Sequence, residues 1–456
     1  MQILKSINKY LNGHSATFNI VSFDGNKSVS IAIEELGLDI HSVVRTVVFR
    51  DKDGMVTSLT PEDHILDVES LNGELNRSLD PLPEDQSNNL ITGQDDESTP
   101  FGAVYRLPLI VDKCLPEQEK LYFLSPSKDS FIQINASDFA LFFNSVYFCE
   151  FSRPIPRSED ELRDSDTVSI DKKRIEKKLT NLNSLPAMPA MATRILQVTN
   201  DTNSSVTDLS KVIEVDPSLS AQIIRYATSA FYGYRGEISS VHDAIARVLG
   251  FDLVANHAMG IAIGKVFKIP AQGPLGLSRF WRHAVYCSAL VERMAKIMPR
   301  NKGVRPGLAY LCGLLHDFGH LLLGHVYPPG FKLLNQYILA NPHIPISTLE
   351  LYVLGIEHGE IGAQLLNKWN MPEETVAAAR WHHDESYSGD CFLYTQLVLI
   401  ADRLLRRHGI GDGDKNELPE SVLESLGLSE ERVVSALSPL LETCIELDNL
   451  ANQLAK

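Results

Sequence analysis

The segment LCGLLHDFGHLLLGH, residues 311–325, places four ionisable side chains in a run that is otherwise apolar and is predicted to form one helix. The four are His316, Asp317, His320 and His325. An uncompensated charge buried in such a helix costs several kcal/mol. The His316–Asp317 pair therefore needs compensation, either from metal cations or from other histidines of the chain.

Further histidines and acids lie on apolar segments after residue 280, each on a different predicted helix or at a helix end. Imidazoles and carboxylates that point from several helices toward one spot form a nitrogen and oxygen shell for one or two divalent transition metals. Since no cysteine is required, iron, manganese, nickel and zinc all fit, and a bridging Asp317 would allow two ions. The predicted ligands are His283, His316, Asp317, His358, His382, His383 and Asp402.

Purely structural roles are the competing explanation for each residue. A single histidine on an apolar face, such as His257 or His325, is more often a hydrogen-bonded core residue than a ligand. The His316–Asp317 pair alone could cap a backbone or pair with Arg282. The separate His–His dipeptide and the aspartate within LVLIADRLL would each need an explanation of their own, so the combination favours a metal site.

The segments that carry these residues show apolar positions at the three-and-four spacing of amphipathic helices. Examples are VHDAIARVLGF, RFWRHAVYCSALVERMAKIM, STLELYVLGIEHGEIGAQLLNKW and LYTQLVLIADRLLRRHG. Strand signals end near residue 185. The pattern predicts an all-helical domain over 184–410, with C-terminal helices over 411–456 packed on it.

The first 150 residues mix strand and helix patterns and predict an α+β domain. VVRTVVFRDKDGMVTSLTP is typical of a β-hairpin that turns at Lys52, Asp53 and Gly54, and LPLIVDKC and KLYFLSPSKDSFIQIN predict further strands. Residues 151–183 are charged and poor in aromatic side chains, which is typical of a linker. The chain is therefore predicted to be multidomain, with an α+β domain followed by an all-α domain.

Composition excludes some classes of function. The formal net charge of -16 argues against a general DNA or anionic-membrane binder, because both partners are polyanions. The six cysteines form no CxxC pair, which is typical of reduced thiols in the cytoplasm. No apolar run approaches the ~20 residues that a membrane-spanning helix needs, and the first residues lack the apolar core of a signal peptide. The sequence predicts a cytoplasmic protein.

The order His283, His316–Asp317, His358, His382–His383 and Asp402 resembles the HD superfamily of metal-dependent phosphohydrolases, and most of all its HD-GYP branch, which opens cyclic dinucleotides. The surrounding segments resemble the HDOD domain, a regulatory relative found in bacterial signalling proteins. The resemblance covers roughly residues 180 to 410. It rests on SLPAMPAMATRILQV, VIEVDPSLSAQIIRYATSAFYG, ISSVHDAIARVLG, LLHDFGHLLL and EHGEIGAQLLNKWNMPEETVAAARWHH.

This resemblance implies a regulatory, non-catalytic domain with signalling proteins as partners. The GYP signature is absent, and His320 stands where the enzymes usually carry a lysine. A neutral histidine does not give the steady positive charge that stabilises a phosphoryl transition state. The family's Ala-Asn-Ser-Ala stretch reads Ala227-Thr228-Ser229-Ala230 here. The competing hypothesis is a phosphohydrolase acting on a nucleotide or cyclic dinucleotide, with Asp317 and His320 as its candidate catalytic residues.

Residues 15 to 145 resemble the YbaK/aminoacyl-tRNA editing domain, including positions 100–102 and Asp112. Arg45 occupies the position of that family's central-strand lysine, where its bulkier fork is not a conservative replacement. The segment corresponding to the substrate loop, TGQDDESTPFG, is acidic and would repel tRNA phosphates. The resemblance therefore implies an editing fold reused for sensing or docking, with Arg45 at a degenerate substrate site. An active aminoacyl-tRNA deacylase is the remaining hypothesis.

Overall fold

The computed structural model describes residues 18–25, 29–83, 86–87, 107–125, 129–138, 146–156, 186–229, 232–411 and 417–455. It divides into two compact units, one of residues 1–161 with 336–344 and the other of residues 162–335 with 345–456. The acidic segment TGQDDESTPFG and most of the predicted linker lie outside the described residues. The domain boundaries drawn from the sequence stay predictions.

The first unit is rich in strands, with short 3-10 helices at Ile40–Ser42, Leu115–Glu117 and Ala136–Asp138. Its strands and helices are β1 (Phe18–Ser22), α1 (Val29–Glu35), β2 (Val43–Asp51), β3 (Gly54–Pro61), β4 (His64–Leu66), α2 (Val68–Leu75), β5 (Asp80–Pro81), β6 (Leu109–Asp112), β7 (Lys120–Leu124), β8 (Ser130–Asn135), β9 (Val146–Cys149) and β10 (Ser152–Pro154). Eight of the strands form a mixed sheet with strand order β1-β8-β7-β2-β3-β6-β9, in which β5 pairs with β2. A second, two-stranded sheet joins β10 to β4.

The predicted hairpin is confirmed as β2 and β3. Asp51 pairs with Gly54, so Lys52 and Asp53 form a two-residue turn, and Gly54 adopts a φ of 124° that favours glycine. The other predicted strands form β6, β7 and β8. Apolar side chains from these strands pack into one core under the sheet, which explains why the strands are rich in β-branched and aromatic residues.

A buried carboxylate joins β6 to the start of β10. Asp112 accepts hydrogen bonds from the backbone N–H groups of Cys114 (3.1 Å), Phe151 (3.0 Å) and Ser152 (2.8 Å). Replacing Asp112 with alanine is expected to lower the free energy of unfolding by about 2 kcal/mol, because buried amides then lack an acceptor. Chemical denaturation measures this loss. Asp112→Asn keeps one acceptor oxygen and serves as the control, so equal losses in both variants would contradict the explanation.

The remaining elements are helical, which confirms the predicted all-α half. A π-helical segment, Ile245–Leu249, and a 3-10 helix, Arg300–Lys302, interrupt the series. None of the helices in the described part of the chain is long and apolar enough to cross a membrane. Along the chain the helices are α3 (Ala190–Asn200), α4 (Val206–Ile213), α5 (Pro217–Ala227), α6 (Val241–Ala244), α7 (Phe251–Gly264), α8 (Leu277–Ile297), α9 (Pro306–Leu315), α10 (Phe318–Val326), α11 (Pro328–Ala340), α12 (Ile346–Leu354), α13 (His358–Lys368), α14 (Glu373–Trp381), α15 (Phe392–Arg406), α16 (Glu420–Leu426), α17 (Glu430–Glu442) and α18 (Cys444–Leu454).

Helix α8 lies at the centre of the helical unit and packs most extensively on α9. The two backbones approach closely at Gly313, where a Cβ atom would lie 2.9 Å from Cα of Ser288. The prediction of one helix through residues 311–325 is wrong. Helix α9 ends at Leu315 and α10 starts at Phe318, so His316 and Asp317 occupy the break.

His257 lies in the core of the helical unit, as predicted. Its ring stacks on Tyr226 at 4.2 Å, and its Nδ1 hydrogen-bonds the hydroxyl of Tyr310. Burial lowers the pKa of His257 from 6.5 to about 3.

This lowered pKa gives a prediction for stability against pH. Between about pH 6.5 and 3 the unfolded chain binds a proton that the folded chain excludes, so stability falls as the pH drops. The contribution of His257 is about 1.4 kcal/mol per pH unit in that window. Urea unfolding of His257→Phe at several pH values is expected to show a shallower acid-side slope than the unmodified protein. Identical slopes for His257→Phe and the unmodified protein would contradict the lowered pKa of His257.

Candidate metal centre

The site is assembled from helix ends in the helical unit. His316 follows the last residue of α9, and Asp317 precedes the first residue of α10 with φ -93° and ψ 11°, outside helical geometry. His358 begins α13 and His382 directly follows α14. The remaining side chains come from the interiors of two helices, His283 from α8 and Asp402 from α15. The side chains at these helix ends point toward one another, whereas a continuous helix would distribute them around its surface.

One oxygen of Asp317 faces a first pair of imidazoles. Oδ2 lies 3.1 Å from Nε2 of His316 and 3.5 Å from Nε2 of His283. The two Nε2 atoms are 3.1 Å apart, and Oδ1 of Asp402 lies 3.4 Å from Nε2 of His283. These four residues form one half of the cluster.

The other oxygen of Asp317 faces a second pair of imidazoles. Oδ1 lies 3.4 Å from Nε2 of His358 and 3.4 Å from Nε2 of His382. These two Nε2 atoms are 3.2 Å apart. Asp317 therefore stands between two imidazole pairs, one on each carboxylate oxygen.

In three of the rings Nδ1, the nitrogen that does not face Asp317, already donates a hydrogen bond. Nδ1 of His316 donates to the carbonyl of Gly313 (2.9 Å), and Nδ1 of His382 donates to the carbonyl of Ala378 (3.0 Å). Nδ1 of His358 donates to a carboxylate oxygen of Glu350 (2.7 Å). Because a carbonyl only accepts, each Nδ1 carries the hydrogen, and in a neutral ring Nε2 carries a lone pair.

The cluster fits metal ions on this chemistry. Nε2 of His358, Nε2 of His382 and Oδ1 of Asp317 lie within 3.4 Å of one another, so all three can bind one ion once His358 has lost the proton on Nε2. Two ligands that each lie about 2.1 Å from one ion are themselves about 3.0–3.4 Å apart, depending on the angle. The distances between neighbouring donor atoms, 3.1–3.5 Å, lie in this range or within about 0.1 Å of it.

The pKa values show which groups are charged. Burial alone would raise the pKa of Asp317, but the charge of His316 and the hydrogen bond from its ring lower it well below its usual range. Burial lowers the pKa of His382 to about 4 and also lowers that of His283. Burial opposes a charge on His358, yet Glu350 and Asp317 raise its pKa well above 6.5. Burial also opposes a charge on His316, and Asp317 raises its pKa. Without a metal ion, the ionised Asp317 is therefore compensated by protons on His316 and His358, and metal binding at such ligands releases protons.

Two predicted site residues lie at the edge of the cluster. Nδ1 of His383 is 3.8 Å from Asp402, and its Nε2 is buried with no hydrogen-bond partner in the described part of the chain. Arg406 binds the same oxygen of Asp402 at 2.9 Å. His320 lines the same cavity as Asp317, and its Nε2 donates to Glu350 at 2.8 Å.

Two residues near the cluster were missed by the sequence reasoning. Glu350 in α12 is fully buried between His320 and His358. Burial would raise its pKa, but the charge of His358 and hydrogen bonds from both rings lower it to about 2. Cys287 lies one turn after His283 on α8, and its sulfur is within 4.8 Å of ligand atoms of His283 and His316. The available signals were an acid in the apolar segment ISTLELYVLG and the four-residue spacing from His283.

A cavity of about 340 Å³ reaches the cluster. Asp317, His283 and His320 line it together with Phe280, Arg279 and Arg282, among others. Arg282 is paired with Asp448 at 2.8 Å. The volume lies within the ordinary range of small-molecule sites. Asp317 is thus accessible to water or a small ligand from this side.

Arg45, the predicted substrate-binding residue of the first unit, lies on β2. Its Nη2 is 2.8 Å from Oε1 of Glu62, and both side chains are largely buried. The charge of Arg45 is therefore compensated within its own unit, and a role in substrate binding stays a prediction.

Comparison with known proteins matches two segments of the chain to domain families. The HDOD domain model matches residues 185–385, and the aminoacyl-tRNA editing domain model matches residues 25–142. A crystal structure of a protein provisionally assigned to signal transduction, from Marinobacter aquaeolei VT8, is 29% identical with a TM-score of 0.80 and covers 99% of each chain. An HDOD domain protein of unknown function from Geobacter sulfurreducens is 24% identical with a TM-score of 0.50, over 61% of this chain and 99% of that one.

An uncharacterised protein of Treponema pallidum (strain Nichols) is 22% identical over 246 residues, which is 54% of this chain. This chain spans about half of that relative's length, 47%. With both family models matched in the order predicted from the sequence, the chain carries an aminoacyl-tRNA editing domain followed by an HDOD domain.

Proposed function

We propose that this protein is a cytoplasmic signalling regulator whose HDOD domain is organised around a two-ion metal centre. The observation that carries the proposal is the position of Asp317 between two imidazole pairs. Three of the four rings are held in place by hydrogen bonds from Nδ1. One ion would be held by His283, His316, Asp317 and Asp402, and the other by Asp317, His358 and His382, with His383 beside them. Iron, manganese, nickel or zinc suits these nitrogen and oxygen donors.

A regulatory role is favoured over catalysis by the surroundings of the cluster. His320, at the position of the enzymes' lysine, has its Nε2 on Glu350. In the editing domain, Arg45 is bound to Glu62. The similar protein from Marinobacter aquaeolei VT8 is assigned, provisionally, to signal transduction. We therefore propose that the helical surface binds other signalling proteins and that the editing domain senses or docks without deacylating tRNA. All six cysteines are free thiols, as expected in the cytoplasm.

A metal-dependent phosphohydrolase is the second candidate, and the cavity beside Asp317 favours it. Bound metal ions would supply Lewis-acid chemistry toward a phosphate ester. Arg279 would bring positive charge to an anionic substrate such as a nucleotide or cyclic dinucleotide, whereas Arg282 is paired with Asp448. His320 would have to donate a proton to the leaving oxygen from the cavity wall.

Metal analysis combined with activity assays tests these functions. The full chain, purified without chelator, is analysed for iron, manganese, nickel and zinc, and then assayed on cyclic dinucleotides, nucleotides and mischarged tRNA. One or two ions per chain with no hydrolysis supports the regulatory function. Metal-dependent hydrolysis of a phosphodiester would replace it with the second candidate. Protein that neither contains metal nor takes it up from solution would overturn the metal centre itself.

A further inference from the structure

Glu350 contacts two histidines, His358 in the metal cluster and His320 in the wall of the cavity. Its Oε2 accepts a hydrogen bond from Nδ1 of His358 (2.7 Å) and another from the backbone N–H of the same residue (2.9 Å). Its Oε1 accepts from Nε2 of His320 (2.8 Å). The side chain has no exposed surface. Since an isolated buried carboxylate is costly, these contacts are what allow Glu350 to lie there.

The contacts at Oε2 fix both the position and the ring of His358. The backbone bond holds the first residue of α13, and the side-chain bond sets which nitrogen carries the hydrogen. Nε2 of His358 is then directed at Oδ1 of Asp317 (3.4 Å) and Nε2 of His382 (3.2 Å). A carboxylate that accepts a hydrogen bond from the other nitrogen of a metal-binding imidazole orients the ring and increases its basicity.

The contact at Oε1 reaches the cavity wall. His320 stacks on His358 with 4.1 Å between ring centroids, and His320 also lines the cavity beside Asp317. One carboxylate thus holds a predicted metal ligand with one oxygen and a cavity residue with the other. A ligand that moves His320 would disturb the same group that orients His358.

We infer that Glu350 is a positioning residue that couples His358 of the metal centre to His320 in the cavity wall. The inference rests on the proposed metal centre. Glu350 is not assigned as a metal ligand itself, because both of its oxygens already accept hydrogen bonds from N–H donors. Its function is to orient the imidazole that binds the ion and to transmit a change at the cavity to that imidazole.

Metal binding by Glu350→Gln in the full chain tests this role. Zinc affinity is measured by competition with a chromophoric chelator, and the ligand geometry is followed by the absorption spectrum of the cobalt-loaded protein. We expect zinc affinity to fall by about 10- to 100-fold and the cobalt spectrum to change, because losing the partner behind a ligand has effects of this size. His320→Gln, which leaves the Glu350–His358 bonds in place, is expected to change the cobalt spectrum less.

Glu292→Gln is the matched control, since Glu292 is also a buried glutamate of the helical unit but pairs with Lys296 on α8. Its zinc affinity is expected to stay within about twofold of the unmodified protein, as substitutions away from such sites have small effects. Equal affinity and identical cobalt spectra in Glu350→Gln and the unmodified protein would overturn the positioning role. An unchanged spectrum in His320→Gln would overturn the coupling. Failure of the unmodified protein to bind any metal would instead overturn the proposed function.

Discussion

Replacing Asp317 with asparagine is expected to reduce the metal content of the purified protein to background. Each oxygen of Asp317 lies within 3.1–3.5 Å of two imidazole nitrogens, so no other carboxylate serves both halves of the described cluster. Asparagine keeps the shape of the side chain but removes its charge and one acceptor oxygen. Residues that only hydrogen-bond a metal ligand already contribute about 10- to 100-fold to metal affinity. For the bridging ligand itself we therefore expect metal affinity to fall by more than about 100-fold. Elemental analysis and zinc titration measure it.

Asp402→Asn is the matched control for this experiment. Asp402 faces His283 at 3.4 Å and has its other oxygen on Arg406, so it serves only one half of the cluster. We expect Asp402→Asn to lose one ion and Asp317→Asn to lose both. Circular dichroism on each variant establishes that the helices are retained. A folded Asp317→Asn protein with its full metal content would show that Asp317 is not the bridging ligand.

Much of the fold follows from local patterns in the sequence. The β-branched runs on both sides of Lys52, Asp53 and Gly54 predict the β2–β3 hairpin. Its register, which pairs Arg45 with Thr60 and places Glu62 just beyond, comes from the structure. The Arg45–Glu62 ion pair follows from that register. The helices after residue 185 follow equally from the spacing of apolar residues.

The cluster could be predicted as a set of residues but not as a geometry. Imidazoles and carboxylates on apolar helix faces must be compensated, and for this reason the residues that the structure brings together around Asp317 are recognisable in the sequence. The break at His316 and Asp317 is not recognisable, because the apolar pattern continues through it. Glu350 is not recognisable either, since residues 350 and 358 lie on different helices and meet only through the turn between α12 and α13.

Just after the break, two backbones make a close contact that sequence periodicity does not reveal. Two residues after Asp317, a Cβ atom at Gly319 would lie 1.9 Å from the carbonyl oxygen of His358 and 3.0 Å from the backbone nitrogen of Gly362. Only glycine allows α10 to approach α13 this closely. The same approach sets the distance between Asp317 and His358, so packing and site geometry are linked at this position.

Gly319→Ala is therefore expected to lower the free energy of unfolding by at least about 3 kcal/mol, at the upper end of overpacking effects, because backbone atoms cannot rotate away as a side chain would. Chemical denaturation of the metal-free protein measures the loss. Gly73→Ala is the control: Gly73 lies in α2 with no heavy atom within 4 Å of its Cβ position, and alanine there is expected to stabilise the helix by up to about 1 kcal/mol. If Gly319→Ala were as stable as the unmodified protein, the two helices would have room to separate. The Asp317–His358 distance would then not be fixed by packing, and the metal ions themselves would have to draw the two halves of the cluster together.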